Sequence, residues 1–378
     1  MLSKILIRYG ELTLKGKNRI NFVDTLASNI RKKTKDKLEV EFDRMFLPYS
    51  HENMNFLQYI FGITSYSPVI ICANDIDEIK NASLSLIEGK SGSFKVSARR
   101  NNKSFAYQSG QINNIVGAYL LEKNKNLKVD VNNPQTTIHI EVRGKHTYIF
   151  VDIIQALGGL PVGVSGRVLH LMSGGIDSPV AAFKLMKRGL KVDFLSFITP
   201  PQTDEKTIEK IKALVSVLNQ YQNTSTIYLA NYSKLMNYIA LVSNQAYKIT
   251  LMRRSFYRIA RIIAKSKKIL ALSNGENLGQ VASQTLESIS TITDGVNIPI
   301  FRPLLSNDKI ETINIAKVIK TYELSIIKAS ETCELFAPKE PVTKPTINEV
   351  NKLEEELSML KDLEAECIDK EIEIIKIK

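Results

Sequence analysis

The residues best suited to chemistry lie at 169–180, read LHLMSGGIDSPV. An apolar run, Val168, Leu169, Leu171 and Met172, stops at Ser173-Gly174-Gly175-Ile176-Asp177-Ser178, and a helix-like run follows from Val180 to Met186. Two glycines between a strand and a helix let the backbone turn tightly, with no Cβ in the way of a bound group. The N–H groups at a helix start, with the positive end of its dipole, suit a phosphate. Ser173 and Ser178 add hydroxyl donors, and the N–H groups of the turn can form an anion nest. Asp177 has two readings: a carboxylate that orients magnesium, or a first-turn acid that complements the dipole.

A Gly-Gly pair alone is usually a simple turn, whereas the whole S-G-G-x-D-S after a buried strand is far more specific. It resembles the pyrophosphate loop (PP-loop) of ATP pyrophosphatases and not a Walker loop, since no G-x-x-x-x-G-K-[ST] occurs. The resemblance implies cleavage of ATP to AMP and pyrophosphate, with an oxygen activated by adenylation.

The elements that must hold this loop follow from periodicity. Strands are expected at 167–172, 191–197, 225–230, 269–273 and 299–301 with helices between them, which implies an α/β fold with a doubly wound parallel sheet. Right-handed crossovers put the strand ends on one edge, where such sheets bind ligands. Upstream, a strand is expected at 4–9, a polar loop at 10–17, a helix at 21–33 and a strand at 37–42, a small α+β unit. A helix at 54–61 and a strand at 67–73 follow, then a strand at 94–99, a helix at 109–121 and a hairpin from 136–142 and 147–153. The glycine-rich 158–166 reads as a connector. The expected domains are therefore 1–53, 54–157, the linker 158–166, and 167–378 with an acidic helical tail.

The chain has 378 residues, a formal charge of +12 and three cysteines. Basic and acidic residues number 22 and 15 over 1–165, 22 and 11 over 166–330, and 7 and 13 over 331–378. A basic excess in the first two blocks favours a polyanionic partner. No apolar run is long enough to span a bilayer and the start lacks a signal-peptide core, so the expected location is cytoplasmic, away from membranes. With no C-x-x-C pair, neither a disulfide scaffold nor a zinc site is expected. Cys72 reads as a buried strand residue, and Cys367 falls in the acidic tail. His51, His139, His146 and His170 show no ligand spacing and read as structural.

Arg254, Arg258, Arg261, Lys265 and Lys268 recur at spacings of three and four and form a basic stripe. Met252, Phe256, Ile259 and Ile263 form an apolar one on another face. The basic stripe is either a solvated helix surface or a contact for nucleic-acid phosphates. The same two readings hold for Arg99, Arg100 and Lys103.

Colinear blocks sharpen this. RYGELTLKGKNR (8–19), FKVSARRNNKSF (94–105), GGLPVGVSGR (158–167), LMSGGIDSPVAA (171–182), LMRR (251–254), NGENLGQVASQTLES (274–288), RPLLSNDK (302–309) and ETCELFAPKEPVTKP (331–345) resemble the tRNA uridine 4-sulfurtransferases, the ThiI family. The resemblance runs from residue 1 to about 345. It implies a ferredoxin-like domain, a THUMP domain for RNA and a PP-loop domain of the adenine nucleotide alpha hydrolase-like fold. It also implies an activity: formation of 4-thiouridine at uridine-8 in the bend of tRNA, with ATP, Mg2+ and persulfide sulfur. No counterpart of the C-terminal rhodanese domain of many relatives is found up to Lys378. The expected short form would take sulfur directly from a cysteine desulfurase, and the family suggests a homodimer.

By the same resemblance, Leu171, Met172, Ser173, Gly174, Gly175, Asp177, Ser178, Ser196, Phe197, Arg253, Gly275 and Gln284 would contact the nucleotide. Lys309 would assist activation, and Cys333, in a proline-rich loop, would carry the persulfide, since a thiolate is the reactive form. Cys367 would be a candidate to resolve the resulting disulfide. Other readings are a different PP-loop enzyme that adenylates RNA, or a tRNA-binding protein without activity.

Overall fold

The structure, a computed structural model, describes residues 2–13, 15–328 and 336–378. The chain divides into two compact units, Met1–Gly159 and Leu160–Lys378.

The first unit carries the strands β1 (Lys4–Arg8), β2 (Glu39–Val40), β3 (Arg44–Pro48), β4 (Ser65–Ala73), β5 (Gly92–Arg100), β6 (Leu127–Val129), β7 (Thr136–Val142), β8 (His146–Phe150) and β9 (Ile154–Gln155). Among the described residues they form one sheet in the order β2-β3-β1-β4-β8-β7-β5-β6, with β9 against β4. β4 makes the sheet continuous: residues 65–69 pair with β1 and residues 70–73 with β8. Residue 53, the expected domain limit, lies inside the helix His51–Leu57.

The strand expected at 37–42 shrinks to the two residues of β2. Its place is taken by β3, where Met45, Phe46 and Leu47 are all buried. A strand covered on both faces has no alternation to read. The expected loop at 10–17 contains a helical turn, Gly10–Thr13, and the start of a 3-10 turn, Gly16–Asn18. The helix Ile76–Ile87 has no counterpart in the sequence reading; Asp75 caps it by accepting from the N–H groups of Asp77 and Glu78. Ile79 and Ile87 of that helix, with Ile112, Val116 and Leu120 of the helix Ser109–Lys123, pack against Phe94, Ile138, Ile140 and Ile149 of the sheet.

The second unit carries β10 (Arg167–Leu171), β11 (Lys191–Ile198), β12 (Ser225–Asn231), β13 (Leu272–Ser273), β14 (Ile300–Phe301) and β15 (Ile372–Ile377). Their order is β14-β13-β10-β11-β12-β15, parallel throughout except for β15 against β12. β10 has β11 on one side and β13 on the other, so the winding reverses there. The crevice beyond its C-terminal end is the switch point at which open α/β sheets take ligands.

The acidic tail is helical over Ile347–Glu356 and Leu360–Lys370, but it finishes as the antiparallel strand β15. β15 supplies hydrogen-bond partners to the outer edge of β12. The expected linker is held down from residue 160 onward. Leu160 N–H donates to the Lys187 carbonyl at 2.9 Å, and the N–H groups of Gly163 and Ser165 both donate to the Gly189 carbonyl, at 2.8 and 3.0 Å.

Candidate nucleotide-binding site

The S-G-G-x-D-S loop leaves β10 at the switch point and enters the helix Asp177–Lys187. The loop is closed on itself. Ser178 Oγ accepts from Ser173 N–H at 3.1 Å and donates to the Ser173 carbonyl at 2.9 Å, while Ser173 Oγ accepts from Gly175 N–H at 3.3 Å. A hydroxyl has one hydrogen, so Ser178 shapes the loop as it stands instead of offering a free donor to a phosphate. Below the loop, His170 is fully buried with Nδ1 2.9 Å from Ser273 Oγ. Burial pushes its imidazole down to about 4, so it is neutral at physiological pH and ties β10 to β13, the structural role expected of it.

The loop opens on a cavity of about 290 Å³. All of the expected nucleotide contacts except Gly175 line it. Met172 and Ser173 follow β10, Ser196 and Phe197 come from the end of β11, Arg253 from the helix Lys248–Ser266, and Gly275 and Gln284 from the segment after β13. Phe197 stacks on Phe256 with centroids 3.8 Å apart and planes 3° from parallel, and Tyr232 meets both edge-on. This makes one wall aromatic, suited to a flat heterocycle. At Gly275 a Cβ would lie 2.7 Å from Ser178 N and 2.8 Å from Asp177 C. The strand exit and the loop therefore touch backbone to backbone, and glycine is the side chain that fits.

Two charged groups border the site. Lys309, first residue of the helix Lys309–Val318, places Nζ 2.9 Å from both oxygens of Asp177, and Gln280 Nε2 donates to Asp177 Oδ2 at 3.0 Å. Deeper, Glu276 is 3% exposed and accepts from Arg253, from Arg302 Nε at 2.6 Å and from the Tyr257 hydroxyl at 3.3 Å. Burial would push the Glu276 carboxyl up, but Arg253 and Arg302 outweigh it and hold it below the ordinary glutamate value. Glu276, Arg302, Tyr257 and Gln280 were not singled out from the sequence. The available signal was Asn274 and Glu276 flanking Gly275 directly after an apolar strand.

The basic stripe needs correction. Arg254 is 7% exposed. It donates to Glu354 at 3.0 Å, to the Thr291 carbonyl at 2.6 Å and to Asn351 at 3.2 Å. Arg258 donates to Glu354 at 2.6 Å and to Glu364 at 2.7 Å. The acidic tail covers these two arginines, so they do not form a free face for a tRNA backbone. Arg261 is half-buried, and Lys265 and Lys268 are exposed. In the first unit, Arg99 and Lys103 are exposed, while Arg100 is half-buried with its guanidinium on the Phe105 carbonyl at 3.1 Å.

Cys333 lies outside the described residues. Cys367 is 2% exposed, donates to the Asn231 carbonyl, and has its thiol pushed up to about 12 by burial and neighbouring glutamates. A buried thiol held in its protonated form is poorly suited to attack a disulfide. Cys72 is half-buried in β4, with its thiol also pushed up to about 12 by burial. Among the described residues, no group of three or more His, Cys, Asp or Glu is arranged to hold a metal ion, and no helix is long and apolar enough to cross a membrane.

A glycine loop at the switch point of a parallel sheet, opening on a cavity with an aromatic wall and an anchored arginine, defines an α/β nucleotide-binding domain of the PP-loop class, here preceded by an α+β unit. The chain belongs to the ThiI family. The family model described as thiamine biosynthesis protein (ThiI) matches residues 163–359, the THUMP domain matches 73–152, and the ThiI ferredoxin-like domain matches 4–67. A probable tRNA sulfurtransferase of Mycoplasmopsis agalactiae is 64% identical, over 99% of each chain. One of Moorella thermoacetica is 41% identical, over 100% of this chain and 98% of its own. The crystal structure of a 4-thiouridine synthetase–RNA complex with bound ATP superposes with a TM-score of 0.94 at 35% identity, covering both chains completely.

Proposed function

We propose that this chain is an ATP-dependent tRNA sulfurtransferase that adenylates uridine-8 of tRNA and replaces its O4 with persulfide sulfur, giving 4-thiouridine. The observation that carries the reading is the closed glycine loop pressed against Gly275 at the mouth of a cavity holding Arg253 and the Phe197–Phe256 wall. Its likeness to tRNA sulfurtransferases and to a 4-thiouridine synthetase bound to RNA and ATP supports the substrate and product.

In the reaction, uridine O4 attacks the ATP α-phosphorus and pyrophosphate leaves. The terminal sulfur of a persulfide on Cys333 then attacks C4, and AMP departs with O4. A thiolate finally breaks the Cys333 S–S bond, freeing 4-thiouridine and leaving Cys333 in a disulfide with that thiol. Adenylation is needed because the native O4 is a poor leaving group. Arg253 and the loop N–H groups would stabilise charge on the phosphates, in a setting fixed beforehand. Asp177 and Lys309 neutralise each other in the structure. A bound triphosphate would divide them, drawing Lys309 to its oxygens and leaving Asp177 as the protein oxygen for magnesium, which neutralises phosphate charge. The persulfide donor is a cysteine desulfurase, and the assembly is a homodimer.

The test is direct. Unmodified tRNA is incubated with the protein, ATP, magnesium, cysteine and a desulfurase, then digested and assayed for 4-thiouridine. Product is expected with the wild type. Asp177→Ala is expected to lower the rate by about 100-fold or more. Cys333→Ala should release pyrophosphate yet make no 4-thiouridine; undiminished product would remove that cysteine from the mechanism. Cys367→Ser is expected to keep near-wild-type turnover in the presence of an external thiol. A loss of product that tracks with retained folding would restore Cys367 to the chemistry.

A further inference from the structure

We propose that Glu276 is a positioning residue for adenylation: it fixes the Arg253 guanidinium in the orientation that grips the triphosphate, and Arg302 secures that hold. This rests on the adenylation reading above.

Arg253 lines the cavity, and two sides of its fork are engaged by the protein. One terminal nitrogen meets Glu276 Oε1, and the other donates to Ser283 Oγ at 3.0 Å. A planar guanidinium held at two points has its plane set before substrate arrives, which spares the rotamer freedom that a long side chain loses on binding. Glu276 is itself immobilised. Its second oxygen accepts from Arg302 Nε at 2.6 Å and from the Tyr257 hydroxyl at 3.3 Å, and its N–H donates to Asn274 Oδ1 at 3.0 Å. These contacts come from each element packed on it: Arg253 and Tyr257 from the helix Lys248–Ser266, Asn274 from the exit of β13, and Arg302 from the segment after β14.

The charge count matters as much as the geometry. One carboxylate between two guanidiniums leaves a net positive charge, so the anchor orients Arg253 without cancelling its attraction for phosphate. The Asp177–Lys309 pair, by contrast, is neutral. Arg302 joins Arg253 in making a buried carboxylate tolerable: with one cation fewer, burial would push the carboxyl upward.

The experiment uses the full chain with unmodified tRNA and reads pyrophosphate release against ATP concentration for Glu276→Gln, Arg253→Gln and the double variant. Glu276→Gln is expected to raise KM for ATP by about tenfold or more, as loss of a charge-assisted bond would, with a smaller fall in kcat. Because both residues act through one guanidinium, the double variant should be no worse than Arg253→Gln alone. Additive losses, or a change in KM below about twofold, would overturn the proposal. Should Glu276→Gln fail to fold, Glu276→Asp takes its place, with a partial KM effect that vanishes in the Arg253→Gln background.

Arg302→Gln adds a pH readout. Its KM for ATP should fall more steeply with rising pH than the wild type's, because loss of one of its two cations shifts the Glu276 carboxyl upward and a higher pH restores its charge. A flat Arg302→Gln profile would remove Arg302 from the device. A wild type that never releases pyrophosphate would instead sink the adenylation reading itself, which separates the two failures.

Discussion

Gly275→Ala is expected to slow 4-thiouridine formation by up to about 100-fold in a protein that still folds. The new methyl would lie 2.7 Å from Ser178 N, 2.8 Å from Asp177 C and 2.9 Å from Ser178 Cα. Those neighbours are backbone atoms, so no side chain can swing aside. Either the PP-loop or the exit of β13 must shift by a few tenths of an ångström or more, and misplacement on the 1 Å scale costs about 100-fold in rate. The accompanying overpacking should cost about 1–3 kcal/mol, too little to unfold a unit of this size. The measurement is the rate of 4-thiouridine formation with saturating ATP, alongside tRNA affinity and thermal unfolding. Gly110→Ala is the control, since a Cβ there meets nothing within 4 Å. A Gly275→Ala enzyme with wild-type kinetics would show that the close approach has no part in catalysis.

Arg258→Met is expected to cause the largest loss of stability. Arg258 reaches Glu354 and Glu364 at once, and Arg254 shares Glu354. Removing one member of a buried ion cluster leaves its partners uncompensated and costs about 3–5 kcal/mol. Thermal unfolding of the second unit should therefore begin roughly 6–20 °C lower, at about 2–4 °C per kcal/mol. Affinity for tRNA in dilute salt should hardly change at temperatures where the variant stays folded. A loss of affinity with an unchanged melting profile would return Arg258 to an RNA-contact role.

The same cluster is pH-sensitive. Burial would raise the Glu354 carboxyl, but Arg258 and Arg254 prevail and hold it below its ordinary value. A carboxyl depressed on folding contributes stability that is complete above its unfolded value and is lost as pH falls through the folded one. The wild type should thus lose stability in acid, and Arg258→Met should lose less of it there.

The legible parts of this protein were those governed by local spacing. The five parallel strands and the apolar stripe of Met252, Phe256, Ile259 and Ile263 follow from periodicity, the loop at 173–178 from its glycines between a strand and a helix, and the four side chains of the stripe are buried. What escaped is set by contacts across long stretches of chain. Glu276 draws on Arg253 and Arg302, 23 and 26 residues away, and no spacing rule announces such a cluster. The basic stripe misled for the same reason. Its covering glutamates lie about 100 residues downstream, so the sequence exposes the charge of Arg254 and Arg258 and conceals the partner. β15 was obscured because its isoleucines follow an acidic helical run without a break.

The strand β4 bears on how this protein can be taken apart. It spans 65–73, while the two recognised sequence modules of the first unit stop at 67 and start at 73. The seam between the modules thus falls within a single piece of backbone, whose first part completes the ladder with β1 and whose second part completes the ladder with β8. Excising either module at its recognised border would cut that shared beam and leave raw hydrogen-bonding groups open to aggregation. Swapping these modules among relatives would succeed with the two transplanted together.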